Sequence, residues 1–322
     1  LLLLLLLSAC GCEKEPASSS QMLLDTICTV TLFQPADQSL AEQALKLVAE
    51  YEAQFSPSIA GSEISRINAA GGEAVPVSPE TAELLLLAQE YSRLSQGRFD
   101  ITLGRLSTLW DFGGSNHLPD KEELEEALST VDYRQLEIIG SREQGFSASL
   151  QNPEARLEPG GIAKGYIADR VAEFLREQGV EKAIIDLGGN ILTIGEKGPG
   201  QLWRIGIETP FSERTEIIGS LSLGEACIVT SGIYERQFTQ DGKLYHHILD
   251  PKTGYPVENE LLSVSIVSRS SAQGDALSTL AFLLGREEGS QFLETQEDVL
   301  GAIWVERSGE IHVQGDLDFQ ER

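Results

Sequence analysis

No part of this sequence alternates strand and helix regularly, and that argues against a fold built on parallel βαβ units. From Leu136 onward short strand-like segments dominate, among them Lys182 to Leu187, Trp203 to Glu208, Ile217 to Leu223 and Leu262 to Val267. Helices interrupt them after Gly165 and after Asp275. Upstream, Leu23 to Phe33 reads as a β-branched strand. Ser39 and Glu42 form a capping box ahead of a helix ending near Ala53. Ser78-Pro79-Glu80 opens a second helix, which Gly97 ends, and Asp120 with Glu123 starts a third. There is no repeat and no internal Pro-, Gly- or Ser-rich linker, so the pattern predicts one α+β unit over 21–322. With 322 residues, 41% of them hydrophobic, it has enough apolar material for a sizeable core.

The formal net charge of -26 argues against nucleic acid as a partner, because that binding rests on Lys and Arg neutralising phosphates. A bound phosphate would have to be held locally, by backbone N–H groups, a metal and a few chosen cations. Leu1 to Leu7, followed by Ser8-Ala9-Cys10, reads as the end of a secretory signal, and the start of a membrane helix is the competing reading. Leu7-Ser8-Ala9-Cys10 also resembles the lipobox of bacterial lipoproteins. That resemblance implies a signal remnant over 1–9, a lipid on Cys10 and a location on the extracytoplasmic face of the membrane. Residues 10–20 would then be a flexible tether. Cys28 and Cys227 lie in apolar strand-like runs and read as buried free thiols.

Three constellations are candidates for chemistry. In Glu158-Pro-Gly-Gly-Ile-Ala-Lys-Gly-Tyr166 a glycine-rich turn feeds an amphipathic helix from Tyr166 to about Gln178. Such a turn suits a phosphate, with Lys164 as a point charge, and equally suits a tight loop before a helix. It is not a Walker A loop, since Gly165 follows Lys164. In Asp275-Ala-Leu-Ser-Thr279 the four-residue spacing puts a carboxylate and a hydroxyl on one helix face. Those oxygens suit magnesium, but simple helix capping by Asp275 explains the Asp as well. In His246-His247-Ile-Leu-Asp250-Pro-Lys-Thr-Gly254 adjacent histidines on a strand point to opposite faces, so one of them can face a cleft.

In order along the chain, these strings resemble the ApbE family of FAD:protein FMN transferases. The set is Leu24-Asp-Thr, Ser62-Glu-Ile-Ser-Arg-Ile-Asn68, Gly97-Arg-Phe-Asp-Ile-Thr102 and Leu109-Trp-Asp-Phe, then Gly160-Gly-Ile-Ala-Lys-Gly-Tyr166 and Leu187-Gly-Gly-Asn190. Thr230-Ser-Gly, His247-Ile-Leu-Asp-Pro-Lys-Thr-Gly254 and Asp275-Ala-Leu-Ser-Thr279 complete it. The resemblance runs from about Leu24 to Val305 and implies a single T-fold-like domain of mixed, mostly antiparallel sheets with packed helices.

It also implies a division of labour. Magnesium would be held by the Gly161 carbonyl, Asp275 and Thr279. FAD, the substrate, would contact Leu24, Ser58, Arg98, Phe99, Asp100, Glu158, Lys164 and Leu249. An acceptor hydroxyl, from a Thr or Ser of a membrane-associated redox protein, would attack the FMN phosphorus and release AMP. The candidate catalytic residues are His247, for a proton-transfer or leaving-group role, and Asp275, mainly a metal ligand that would also sit near the attacking hydroxyl. This sequence departs from the family's pattern at Ser58, where many transferases carry a tyrosine that can stack on an aromatic ring. Some members hydrolyse FAD to FMN and AMP, so an FAD pyrophosphatase is the alternative reading. A non-catalytic flavin-binding lipoprotein and an adhesive surface lipoprotein are two further ones.

Overall fold

The computed structural model describes residues 15–114, 116–212 and 216–322. The lipobox string, Cys10 and Cys12 lie outside these residues. The chain opens with β1 (Ala17–Leu23), β2 (Thr26–Gln34), α1 (Gln38–Phe55), α2 (Glu63–Ala69), β3 (Val75–Val77) and α3 (Pro79–Leu94). It continues with α4 (Gly104–Trp110), α5 (Lys121–Leu128), β4 (Leu136–Ser141), β5 (Gly145–Leu150) and α6 (Ala163–Glu177). Next come β6 (Lys182–Leu187), β7 (Ile191–Ile194), β8 (Trp203–Glu208), β9 (Ile217–Leu223), β10 (Cys227–Gly232), β11 (Gln237–Gln240) and β12 (Lys243–His246). The chain closes with β13 (Leu261–Ser268), α7 (Ser271–Leu293), β14 (Val299–Glu306), β15 (Ile311–Gly315) and β16 (Asp318–Glu321).

An eight-stranded sheet in the order β1-β2-β6-β7-β10-β13-β14-β15 organises the domain, and its strand pairs are antiparallel. Smaller antiparallel sheets, β16-β9-β8, β3-β5-β4 and β11-β12, flank it. Period-two side-chain alternation lets the large sheet bury both faces. Cys28, Val30 and Leu32 of β2, with Ala302 and Trp304 of β14, pack under α1, α6 and α7 in the main core. Ile228, Val267 and Ile303 face the other way and meet Trp203, Ile205, Ile207, Leu221 and Leu223 of the β8–β9 pair. A third cluster joins α4 and α5 to the β11–β12 hairpin around Trp110, whose indole N–H donates to the Gly254 carbonyl at 2.8 Å. Cys28 and Cys227 are buried free thiols, as expected. No helix among the described residues is long and apolar enough to cross a membrane.

Four local expectations are corrected. Asp37, not Ser39, caps α1: its carboxylate accepts the Leu40 amide at 3.1 Å, which leaves Gln38 and Ser39 inside the helix. The tether expected over 10–20 gives way at Ala17 to β1, where Ser18 and Ser20 form 2.9 Å hydroxyl pairs with Thr31 and Thr29 of β2. α6 begins at Ala163 rather than Tyr166, so Lys164 and Gly165 lie in its first turn. α7 begins at Ser271 with Ser270 as its cap, so Asp275 sits one turn inside the helix and does not cap it.

Candidate active site

The site gathers where the amino ends of α6 and α7 meet. Gly165 of α6 rests against the start of α7. A Cβ there would lie 2.2 Å from the Ser271 carbonyl oxygen and 2.7 Å from the Ala272 Cα, so only glycine permits this approach. The contact lets the Gly165 amide donate to Asp275 Oδ2 at 2.8 Å. Oδ1 carries no protein hydrogen bond among the described residues. Asp275 is 5% exposed, and burial pushes its pKa up, opposed by the field of Lys164 and by the Gly165 amide.

Thr279 lies one turn further along the same face of α7. Its hydroxyl is loosely engaged, 3.4 Å from Ser231 Oγ on β10 and 3.5 Å from the Asp275 carbonyl. Gly161 closes the third side. A Cβ at Gly161 would stand 3.4 Å from Thr279 Oγ1 and 3.1 Å from the Phe99 ring. The three expected metal-binding residues are therefore neighbours. Their donors are all oxygen, and the buried carboxylate keeps one oxygen uncommitted, which fits a hard divalent cation. Lys164, half-buried in the first turn of α6, adds a positive field that reaches Asp275, Cys28 and His247.

Glu158 stands at the entrance. Its side chain accepts the Gly160 amide at 3.1 Å, and its own amide donates to the Ile101 carbonyl at 2.7 Å. Burial raises its pKa; the Gly160 amide and the charge of Arg236 oppose the rise. Ser58, exposed in the loop after α1, bonds Ser56 Oγ at 2.9 Å. Ser58 and Glu158 line one groove of about 730 Å³ that also takes in Asn68, Arg105 and Arg156. Leu24 holds φ 54° in the two-residue β1–β2 turn, and Asp25 holds φ 58°. Non-glycine residues in this region are strained, and the Leu24 amide is tied to Glu52 Oε1 at 2.7 Å. Asp25 also pairs with Arg236 at 3.4 Å.

Two of the expected substrate contacts have other employment. The Asp100 carboxylate, 5% exposed, accepts from the Thr102 amide and hydroxyl and from the Tyr133 amide. It locks the loop that carries Phe99 and so acts from behind the site. Leu249, also 5% exposed, packs in the Trp110 cluster and supports the His247 segment from below. Arg98 is partly exposed and lies 3.8 Å from Glu288 of α7.

The two histidines have diverged, but not by strand alternation as expected: β12 ends at His246, and His247 lies in the bend that follows it. His246 is 2% exposed; its Nε2–H donates to the Val257 carbonyl at 3.1 Å and its Nδ1 accepts the Ile248 amide at 3.4 Å. Both nitrogens are occupied, which excludes it from proton transfer. His247 places Nδ1 3.3 Å from the Arg236 carbonyl. A carbonyl only accepts, so Nδ1 carries the proton and Nε2 is left as a lone-pair acceptor. Desolvation, then the charge of Arg236, pushes the His247 pKa down to about 3, and the ring is neutral at pH 7.

Sequence reasoning passed over several residues that build this geometry. Glu52, which holds Leu24, gave no local signal, because it acts from 28 residues away. Asn68, which closes the Ser62–Asn68 string but has no role legible there, exchanges two hydrogen bonds with the backbone of Leu157, at 3.0 and 2.7 Å, and so sets the segment that delivers Glu158. Asp169 lies four residues after Gly165, a spacing that puts it on the same helix face and was available to be read.

The ApbE family model matches residues 24–304. The FAD:protein FMN transferase of Klebsiella pneumoniae (strain 342) is 42% identical over 277 residues, covering 85% of this chain and 84% of that protein. That of Treponema pallidum (strain Nichols) is 33% identical, over 86% of this chain and 81% of its own length. Among solved structures, the ApbE protein of Thermotoga maritima superposes with a TM-score of 0.83 at 31% identity, covering 93% of this chain and 97% of that one. The flavin transferase ApbE of Vibrio cholerae gives 0.82 at 30% identity with the same coverages. With the family model spanning most of its length and the whole architecture shared, this chain belongs to the ApbE family.

Proposed function

We propose that this protein moves the FMN half of FAD onto a threonine or serine hydroxyl of an acceptor protein, releases AMP, and needs magnesium to do so. The observation that carries this reading is the buried Asp275 carboxylate, fixed against the amino end of α6 with Thr279 and Gly161 beside it. Asp275, Thr279 and the Gly161 carbonyl would hold the metal. When bound, magnesium neutralises charge on the pyrophosphate oxygens.

The chain's own groups account for the remaining steps. The amino end of α6 and Lys164 attract the diphosphate. Phe99 supplies an apolar wall, and Glu158 an acceptor for ribose or base donors. His247 Nε2 takes the proton of the attacking hydroxyl. A bond then forms from the acceptor oxygen to the FMN phosphorus, the bond from that phosphorus to the AMP phosphate oxygen breaks, and the electron pair leaves with AMP.

A lipid on Cys10 would keep the enzyme on the extracytoplasmic face of the bacterial membrane, beside a membrane-associated redox acceptor; the Leu7-Ser8-Ala9-Cys10 string supports this. Mass spectrometry of the membrane-extracted protein tests it, and a mature chain lacking a diacylated Cys10 refutes it.

The reaction is tested by incubating the protein with FAD, magnesium and an acceptor domain bearing the modified hydroxyl, with EDTA as control. An FMN phosphoester on the acceptor, equimolar AMP and complete block by EDTA are expected. Asp275→Ala should abolish the metal-dependent reaction, and retained activity would refute the metal assignment. AMP and free FMN without an adduct would make the protein a pyrophosphatase, consistent with a serine rather than an aromatic ring at Ser58.

A further inference from the structure

Asp169 is a partly buried carboxylate that no step of the reaction uses. It projects from α6, but all its partners belong to the start of α7. Oδ1 accepts the Ser271 amide at 2.9 Å, and Oδ2 accepts the Ala272 amide at 2.9 Å and the Ser270 hydroxyl at 2.8 Å. Those amides belong to the first two residues of α7 and have no partner within the helix. α7 already has a cap of its own, since Ser270 Oγ accepts the Gln273 amide at 3.3 Å. Asp169 therefore adds a second cap from another helix.

The arrangement is reciprocal. One turn before Asp169, the Gly165 amide of α6 donates to Asp275 of α7. One turn before Asp275, the Ser271 amide of α7 donates to Asp169 of α6. Each helix places a carboxylate on the other's amino end, and the missing side chain at Gly165 lets the two come together. Together these bonds fix the height and rotation of α7 against α6, the two coordinates that set where Asp275 and Thr279 stand relative to Gly161.

We propose that Asp169 is a positioning residue: it docks the amino end of α7 on α6 and thereby holds the Asp275–Thr279 pair in register with Gly161 for a divalent cation. The inference rests on the reading of Asp275 and Thr279 as metal ligands.

The test measures magnesium affinity by calorimetry in the presence of ADP, which carries the diphosphate without a flavin to transfer, alongside the magnesium dependence of FMN transfer. Asp169→Asn removes one acceptor and sets an amide group against an amide donor. Asp169→Glu keeps the charge but lengthens the arm. Both should weaken magnesium binding by about 10–100-fold, the range for groups that orient metal ligands, while ADP affinity without metal stays unchanged. In transfer, the half-saturating magnesium concentration should rise by the same factor, with kcat at saturating magnesium largely preserved.

Wild-type affinity in Asp169→Asn would overturn the proposal. So would full rescue by Asp169→Glu, because the charge alone would then account for the effect. If neither variant folds, Ser270→Ala removes the hydroxyl that donates to Asp169 together with its cap bond from Gln273, and should weaken magnesium by at least about fivefold, the worth of one hydrogen bond; an unchanged affinity there overturns it equally. Asp275→Ala separates the two readings. If wild type and Asp275→Ala respond alike to magnesium, the metal assignment itself has failed. If only Asp275→Ala loses the response, the metal stands and the role of Asp169 falls.

Discussion

A Gly165→Ala substitution should push α6 away from α7. On an open helix surface this change would stabilise the protein by about 1 kcal/mol through helix propensity. Here the new Cβ would stand 2.2 Å from the Ser271 carbonyl oxygen, against an ordinary contact of about 3.5 Å, so the helices must separate by roughly 1.3 Å. The clashing atoms are backbone and cannot rotate aside. Overpacking of this kind costs about 1–3 kcal/mol. The same displacement stretches the 2.8 Å bond from the Gly165 amide to Asp275 beyond hydrogen-bonding range, and a bond to a charged group is worth about 1.5–3 kcal/mol. After the propensity gain, the net destabilisation is about 1.5–5 kcal/mol, a fall in Tm of about 2–8 °C for a chain of this length. Thermal unfolding followed by Trp fluorescence reads the first effect, and the magnesium dependence of FMN transfer reads the second. A variant as stable as wild type with the same magnesium dependence would show that the two helices are not held at this distance by Gly165.

Two further predictions concern the histidines. His247→Ala should lower the transfer rate by about 10²–10⁴-fold with FAD affinity preserved, as for loss of a general base, and an unchanged rate would remove His247 from the mechanism. With its pKa near 3, His247 should also leave the rate free of any titration near pH 6.5, so an acid limb there that vanishes in His247→Ala would contradict the assigned neutral state. Stability should depend on pH through both rings. The folded-state values, about 4 for His246 and about 3 for His247, lie below the unfolded value of 6.5, so the unfolded chain binds more protons across that window. Stability is therefore fully present above about pH 6.5 and is lost as pH falls towards 4 and 3. For the buried His246 alone the loss amounts to about 3 kcal/mol. Urea midpoints measured between pH 7.5 and 5 check this, and a flat profile would show that the rings are not buried neutral.

Much of this protein is legible in its residues because local rules and tertiary structure agree. Ser78-Pro79 starts α3, and the strands Lys182–Leu187, Trp203–Glu208 and Ile217–Leu223 stand where their alternation puts them. The ordered motifs also single out Gly161, Lys164, Asp275 and Thr279, since a glycine turn, a helix start and a four-residue spacing are local patterns. Tertiary structure decided what those patterns do. Asp275 looks like a cap in sequence, and it becomes a buried carboxylate only because α7 starts earlier and Gly165 arrives from over a hundred residues away. Asp100 looks like a ligand group, and it is turned inward by Thr102 and Tyr133. Which of His246 and His247 keeps a ring nitrogen uncommitted was fixed by the partners each ring found, the Val257 carbonyl and Ile248 amide for His246 and the Arg236 carbonyl alone for His247. A side chain's type and spacing travel with the chain, whereas its burial, its hydrogen-bond partners and hence its charge state exist only once distant segments have packed around it.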